Sequence, residues 1–257
     1  MGIKVTNKNT DISKFISRAD LGGPSVAYQL FVKADALRLA NLHQEAVTRY
    51  LNSILIDRNN ADSYYGLGVC YKNLNRLDKA IEALEKAKSI KALDFSIYYE
   101  LGICYLLSGE ICLAMQNFVK SLKINPKNLN AQIQLAIAHE IVEEEDLALM
   151  IYQKIIETSP GYIKAYNHKA TLLMNMENYQ EACVVFNKVL KLNPQYYRAY
   201  LGIGICFDKL GHEVDALRYY KKFLEFKPNS HHATFIKSRL DELKKDKKLN
   251  NPLTLVK

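Results

Sequence analysis

Residues 95–128 read FSIYYELGICYLLSGEICLAMQNFVKSLKINPKN, and their length of 34 residues is the period of most of the chain. Working outward, Pro126, Pro160, Pro194 and Pro228 stand 34 residues apart with no insertion. Ala46, Ala80, Ala114, Ala148, Ala182 and Ala216 form a second ladder at that spacing. A third holds only small residues (Ala34, Gly68, Gly102, Ala136, Ala170, Gly204), and a fourth a ring or Leu (Tyr50, Leu84, Phe118, Tyr152, Phe186, Tyr220). Four columns in register over six units are the signature of a repeat array.

Within a unit the apolar spacing is helical. Tyr64, Leu67, Gly68 and Tyr71 follow i, i+3, i+4, i+7, and Ala80, Leu84 and Ala87 continue further along. Between the two runs stand Asn41, Asn75, Gly109 and Gly211, residues that tolerate the left-handed backbone ending a helix. Glu143 and Glu177 hold that place in the fourth and fifth units, which predicts turns of different build there. The proline closes the second helix. Each unit is thus a helix–turn–helix hairpin. The small columns mark the crossing of its two helices, and the ring is expected to fill the gap to the next unit. No hairpin buries its apolar face alone, so the hairpins stack.

The pattern resembles the tetratricopeptide repeat family: Tyr64, Leu67, Gly68, Tyr71, Ala80 and Leu84 in the second unit, and Tyr98, Leu101, Gly102, Tyr105, Ala114, Phe118 and Pro126 in the third. The resemblance covers residues 27–60, 61–94, 95–128, 129–162, 163–196 and 197–230. It departs at Lys33, Lys169, Gln132, Arg58 and Ala92. It implies an all-α, right-handed α-solenoid of six 34-residue hairpins. Residues 1–26 are read as an extension with a short amphipathic helix at Ile12, Phe15, Ile16 and Ala19, stopped by residues 21–24, after a disordered start over 1–10. Residues 231–247 are read as a capping helix, with Phe235, Leu240 and Leu243 over the last unit, and 248–257 as a flexible tail.

The resemblance also implies which wall meets a partner: the first helix of each unit lines the concave side. Carried over, the expected partner-binding residues are Tyr65, Val69, Lys72, Tyr99, Ile103, Leu106, Ile133, Ile137, Lys164, Asn167 and Arg198. The middle of that wall reads as apolar and its C-terminal part as basic. Either the aliphatics pack between neighbouring first helices or they form an interaction strip; the contiguity of the strip favours the second. The expected ligand is a peptide or helical segment of another protein, and the basic C-terminal part of the wall suits an acidic flank on it.

The clamp by which relatives grip acidic chaperone tails needs Lys and Asn together in one unit, and only Lys164 with His168 resembles any part of it. The Asn ladder of the sugar-transferase repeat arm is missing too, since the sixth places read Val32, Gly66, Glu100, Gln134, His168 and Gly202. Chaperone-tail docking is therefore not expected.

Catalytic chemistry is hard to find. Gly202-Ile203-Gly204 begins like a dinucleotide loop, but no strand precedes it and both glycines fall on repeat columns. His139-Glu140-Ile141-Val142-Glu143 approaches a zinc-protease helix without the second His. No enzyme, cofactor or metal site is expected. Five cysteines (70, 104, 112, 183, 206), odd in number and without CxxC spacing, suit buried thiols in a reducing, cytoplasmic setting. No secretory signal is visible, and no stretch approaches the ~20 apolar residues of a membrane span. Residues 1–6 formally fit an N-myristoylation pattern. The net charge is +8, with six Lys or Arg between 237 and 248. That run reads as a solvated helix face; nucleic-acid or anionic-surface binding through it, or homo-oligomerisation, is the alternative.

Overall fold

The structure, a computed structural model, describes residues 25–249, with side chains as far as Glu242. The expected N-terminal helix, the acylation pattern, Leu243 and the tail lie outside the described residues or side chains. Among the described residues every regular element is a helix: α1 (Val26–Leu39), α2 (His43–Ile56), α3 (Ala61–Asn73), α4 (Leu77–Ile90), α5 (Phe95–Leu107), α6 (Ile111–Ile124), α7 (Leu129–Ile141), α8 (Glu145–Thr158), α9 (Ile163–Asn175), α10 (Tyr179–Leu192), α11 (Tyr197–Lys209), α12 (Glu213–Phe226) and α13 (His231–Leu249). The fold is an all-α solenoid of helical repeats, with odd-numbered A helices and even-numbered B helices before the terminal α13. The chain divides into two compact units, Met1–Ala138 and His139–Lys257, and each is described by itself.

All six hairpin turns are built alike. The turn residue has a positive φ in every one, including Glu143 (60°) and Glu177 (62°), so the expectation of different turns there is corrected. At Gly109 the N–H donates to the Leu106 carbonyl and the Glu110 N–H to that of Tyr105. At Glu177 the same two bonds run to Met174 and, from Asn178, to Leu173. This pair of bonds satisfies carbonyls that the helix end leaves open, and it requires the left-handed residue whatever its side chain.

The ring column does more than bridge to the next unit. A methyl group on Gly102 would lie 2.5 Å from Phe118 Cε1, and one on Gly204 2.7 Å from Tyr220 Cδ1, both within one hairpin. One on Gly202 would lie 2.5 Å from the ring of Phe186, in the preceding hairpin, and one on Gly66 would strike the Tyr50 ring in the same way. Phe118 and Tyr220 thus occupy space left by a glycine on their own A helix, and Tyr50 and Phe186 space left by a glycine on the next. Substituting those glycines displaces the ring. Three of the rings carry a phenol and donate it to an A-helix carboxylate: Tyr50 to Asp35 at 3.0 Å, Tyr220 to Asp208 at 3.2 Å, and Tyr152 to Glu140.

The last hairpin is covered by α13 through Ala233, Ile236 and Leu240, all buried. Phe235 was expected in this contact and is instead 62 % exposed; the buried face is one residue further on, at i, i+3 and i+7. Arg239 fixes the contact from above, with Nη2 at 2.8 Å and Nε at 2.9 Å from the two carboxylate oxygens of Asp208 on α11.

Candidate protein-binding surfaces

In the first unit the expected wall runs along α3, α5 and α7. Tyr65, Tyr99, Ile103, Leu106 and Ile137 are half-buried, so each keeps part of its apolar surface in water. Val69 and Ile133 do not, at 7 % and 4 % exposed. These two aliphatics serve packing, and the apolar strip is narrower than the sequence suggests. Tyr99 lies with its ring 6.2 Å from that of Phe118, and burial pushes the Tyr65 phenol up to about 12, with Glu100 adding to the shift. Both rings are half-buried.

Lys72, expected to meet an acidic flank, is already engaged. Its Nζ lies 2.6 Å from Glu100 Oε2, linking α3 to α5, with side chains 17 % and 12 % exposed. The sequence offers this pairing only through the repeat: Lys72 is the twelfth residue of its unit and Glu100 the sixth of the next. Asp35 is likewise taken, by Arg38 at 2.6 Å and by Tyr50. The wall of the first unit is therefore apolar with its charges neutralised.

The second unit differs. A cavity of about 580 Å³ opens between α9, α11 and the start of α13. Asn167 and Arg198 line it as expected, Arg198 exposed and Asn167 half-buried. Lys164 is exposed on the same α9 face but is not among the lining residues; it and burial together lower the pKa of His168, burial being the larger cause. His168 stacks on Tyr152 with ring centroids 5.7 Å apart. Sequence reasoning missed Lys227, His231 and His232, which also line the cavity; the two histidines read as merely solvated. They lie at the turn between α12 and α13, outside the A helices on which the reading concentrated. Lys227 is positioned over the Tyr197 ring at 4.8 Å. No Asp or Glu is among the described lining residues.

A larger cavity, about 800 Å³, lies in the first unit between α2 and α4 over α3, on the side of the B helices. Its walls mix Tyr64, Leu67 and Tyr71 with Lys79, Lys86, Glu82 and Glu85, so it carries no net electrostatic preference. Among the described residues no cluster of three His, Cys, Asp or Glu is placed to hold a metal ion, and His139 bonds Glu144 at 2.6 Å. The basic run that begins at Lys237 loses Arg239 to Asp208 and Glu242.

Sequence profiles of the tetratricopeptide repeat match residues 61–91, 95–128, 163–196 and 198–230. The chain belongs to the tetratricopeptide repeat family. Its members are generally non-catalytic modules that bind other proteins, and the repeats support a protein–protein interaction scaffold here. A search of curated proteins finds no match. Among solved structures, PilW, a widely conserved type IV pilus biogenesis factor, superposes with a TM-score of 0.73 at 18% identity, over 83% of this chain and 99% of its own. The C-terminal part of a repeat protein from Cytophaga hutchinsonii gives 0.72 at 21% identity, over 87% and 90%. YrrB, described as a tetratricopeptide repeat protein with an unusual peptide-binding site, gives 0.56 at 21% identity, over 74% and 97%. At such identities the likeness is one of fold.

Proposed function

We propose that this tetratricopeptide repeat protein is a non-catalytic cytoplasmic adaptor that holds a segment of a partner protein against its A helices. The observation that carries the reading is the cavity of the second unit, where Arg198, Lys227 and two histidines converge without a described carboxylate to neutralise them. Cations left without a carboxylate in a concave site favour an anionic group, and the Asn167 amide adds a donor for a peptide carbonyl or carboxylate. In the first unit Tyr65, Tyr99, Ile103, Leu106 and Ile137 offer apolar anchors of the kind that hold a helix or an extended chain. That YrrB is described as having a peptide-binding site agrees with this use of the fold. The cytoplasmic assignment rests on five free cysteines, four of them buried, as a reducing compartment keeps them. No described helix is long and apolar enough to cross a membrane.

The test is selection from a random peptide display library against the full chain. Enriched peptides are expected to carry Asp, Glu or a free C-terminus beside an apolar residue. The same peptides are expected to lose binding to the Arg198→Glu, Lys227→Glu double variant. Enrichment of peptides with no acidic group, bound equally by both proteins, overturns the reading.

A further inference from the structure

The open end of the array is on α1. In the five later units the third and tenth residues of the A helix face the preceding hairpin and are buried: Ser63, Ile97, Ala131, Ala165 and Ala199 in one column, and Cys70, Cys104, Ala138, Leu172 and Cys206 in the other. The sixth residue meets the preceding ring wherever that contact is described, as Gly66 meets Tyr50, His168 meets Tyr152 and Gly202 meets Phe186. On α1 the same face is uncovered. Val32, the sixth residue, is 46 % exposed, and Lys33 and Ala36 are exposed beside it. Lys33 does not argue against a covering helix. Lys169, in the same column, reaches Gln153 of the preceding B helix at 3.3 Å.

The chain supplies a segment in register with this face. Asn7, Ile12, Ile16, Ala19 and Pro24 lie 34 residues before Asn41, Ala46, Tyr50, Ser53 and Arg58. They therefore fall on the left-handed turn, the small crossing residue, the ring, a column buried in every unit (Ser53, Ala87, Ser121, Ile155, Val189, Phe223), and the closing proline. Lys14 falls on a column that is exposed throughout, from Thr48 to Arg218. Four of the five agree in character with their columns, Ile12 being larger than the Ala that stands there in all six units, and the polar residue falls on the wet column. Pro24 restores the proline that the first two units lack.

We propose that residues 9–22, whose coordinates lie outside the described residues, dock on the open face of α1 as the second helix of a further N-terminal repeat element, with Ile16 against Val32. The occupant is this segment because it ends directly before α1, leaving three residues for the connection, one fewer than the four that join every other B helix to its following A helix, as α1 begins one residue ahead of the period. Docking there completes the apolar face that a terminal hairpin otherwise leaves open. It also keeps the segment off the A-helix wall, which stays free for a partner. The inference does not rest on the proposed function.

The experiment is disulfide trapping in the full chain, in a Cys112→Ser background to remove the exposed thiol. The pair Ile16→Cys, Val32→Cys is oxidised beside Lys14→Cys, Val32→Cys, and the linked peptides are read by mass spectrometry. The first pair is expected to close within one chain on the order of tenfold faster, since only facing Cβ atoms reach bonding distance. In parallel, Ile16→Asp is expected to raise amide exchange in α1 by roughly tenfold while α12 and α13 keep theirs. Equal closure from positions 14 and 16 shows a tethered but undocked segment and overturns the proposal. So does a disulfide between two chains, which makes a second copy the occupant. Faster exchange in α3 and α5 with α1 unchanged places the segment on the A-helix wall and overturns it as well.

Discussion

In the first unit Lys72 reaches from α3 to Glu100 on α5 and its charge ends there, whereas in the second unit Arg198 and Lys227 face a cavity with no described carboxylate on its lining. Both units are built from the same hairpin, yet one wall is electrically closed and the other open. The cations stand in different columns: Lys72 is the twelfth residue of its repeat, Arg198 the second and Lys227 the thirty-first, and the sixth place that carries Glu100 on α5 carries Gly202 on α11. A basic residue on a repeat wall therefore counts toward a ligand only after the charge on the next A helix has been subtracted.

The largest expected effect breaks the closed side of that comparison. Glu100→Ala leaves the Lys72 ammonium desolvated without its partner, and removing one member of a largely buried pair costs about 3 kcal/mol. Denaturant unfolding should show a loss of that order, with faster amide exchange concentrated in α3 and α5. Replacing both residues by Leu should restore most of the stability, because desolvation then no longer has to be offset. A Glu100→Ala chain as stable as the parent would mean that the pair is solvated, and the two walls would not differ as described.

The open side is sharpened by its opposite behaviour. Arg198→Glu with Lys227→Glu should change stability by no more than roughly 0.5 kcal/mol, as exposed substitutions generally do. Binding of an acidic peptide should fall on the order of a hundredfold, since two charge-assisted contacts become repulsive. Fluorescence anisotropy with a labelled peptide reads the second quantity and thermal unfolding the first. A joint loss of both would make these residues structural.

A third effect concerns the end of the second unit and depends on pH. The Arg239 guanidinium holds the Asp208 carboxyl below its ordinary value of 3.8, with the Tyr220 hydroxyl helping. A carboxyl whose value is lowered by folding contributes stability that is fully present above the unfolded value, and that contribution is lost as pH falls through the folded one. Exchange at the α13 amides should therefore rise as pH drops from about 4 toward 2, after correction for the intrinsic rate. Arg239→Ala should remove this acid step and loosen α13 at neutral pH by about 1 kcal/mol, a modest figure because the guanidinium is a third exposed.

Most of the fold was legible because the stacking geometry writes the same residue types every 34 positions: the small, Ala, ring and proline columns all took the places assigned to them. Less of the binding surface was legible. Val69 stands in the ninth column with the half-buried Ile103 and Ile137, and Ile133 in the fifth with the half-buried Tyr65 and Tyr99, and apolarity alone does not separate the two states. The Lys72–Glu100 pair joins residues 28 apart, a distance visible only once unit positions are overlaid. Lys227, His231 and His232 reach their cavity from a turn between helices, where the family pattern gives no instruction. On α13, placing Phe235 rather than Ile236 inward was an error of one residue in helical phase.

The turns show the same limit and give the smallest effect. Glu143 and Glu177 differ from the Asn and Gly of the other turns, yet they adopt the same left-handed backbone because two carbonyls at each helix end must be satisfied. An L residue with a Cβ meets its following carbonyl there, a strain of about 1 kcal/mol that glycine escapes. Glu177→Gly should therefore stabilise the second unit, but by somewhat less than 1 kcal/mol, since glycine also gives the unfolded chain more freedom to lose. Glu143→Gly should behave alike, and the two gains should add because the turns are separate. Asn75→Gly in the first unit is the control: asparagine already tolerates a φ of 56°, so its replacement should gain little. If all three substitutions shifted the unfolding midpoint equally, the strain would belong to the turn and not to the glutamates, and the second unit would hold no reserve of stability that the first lacks.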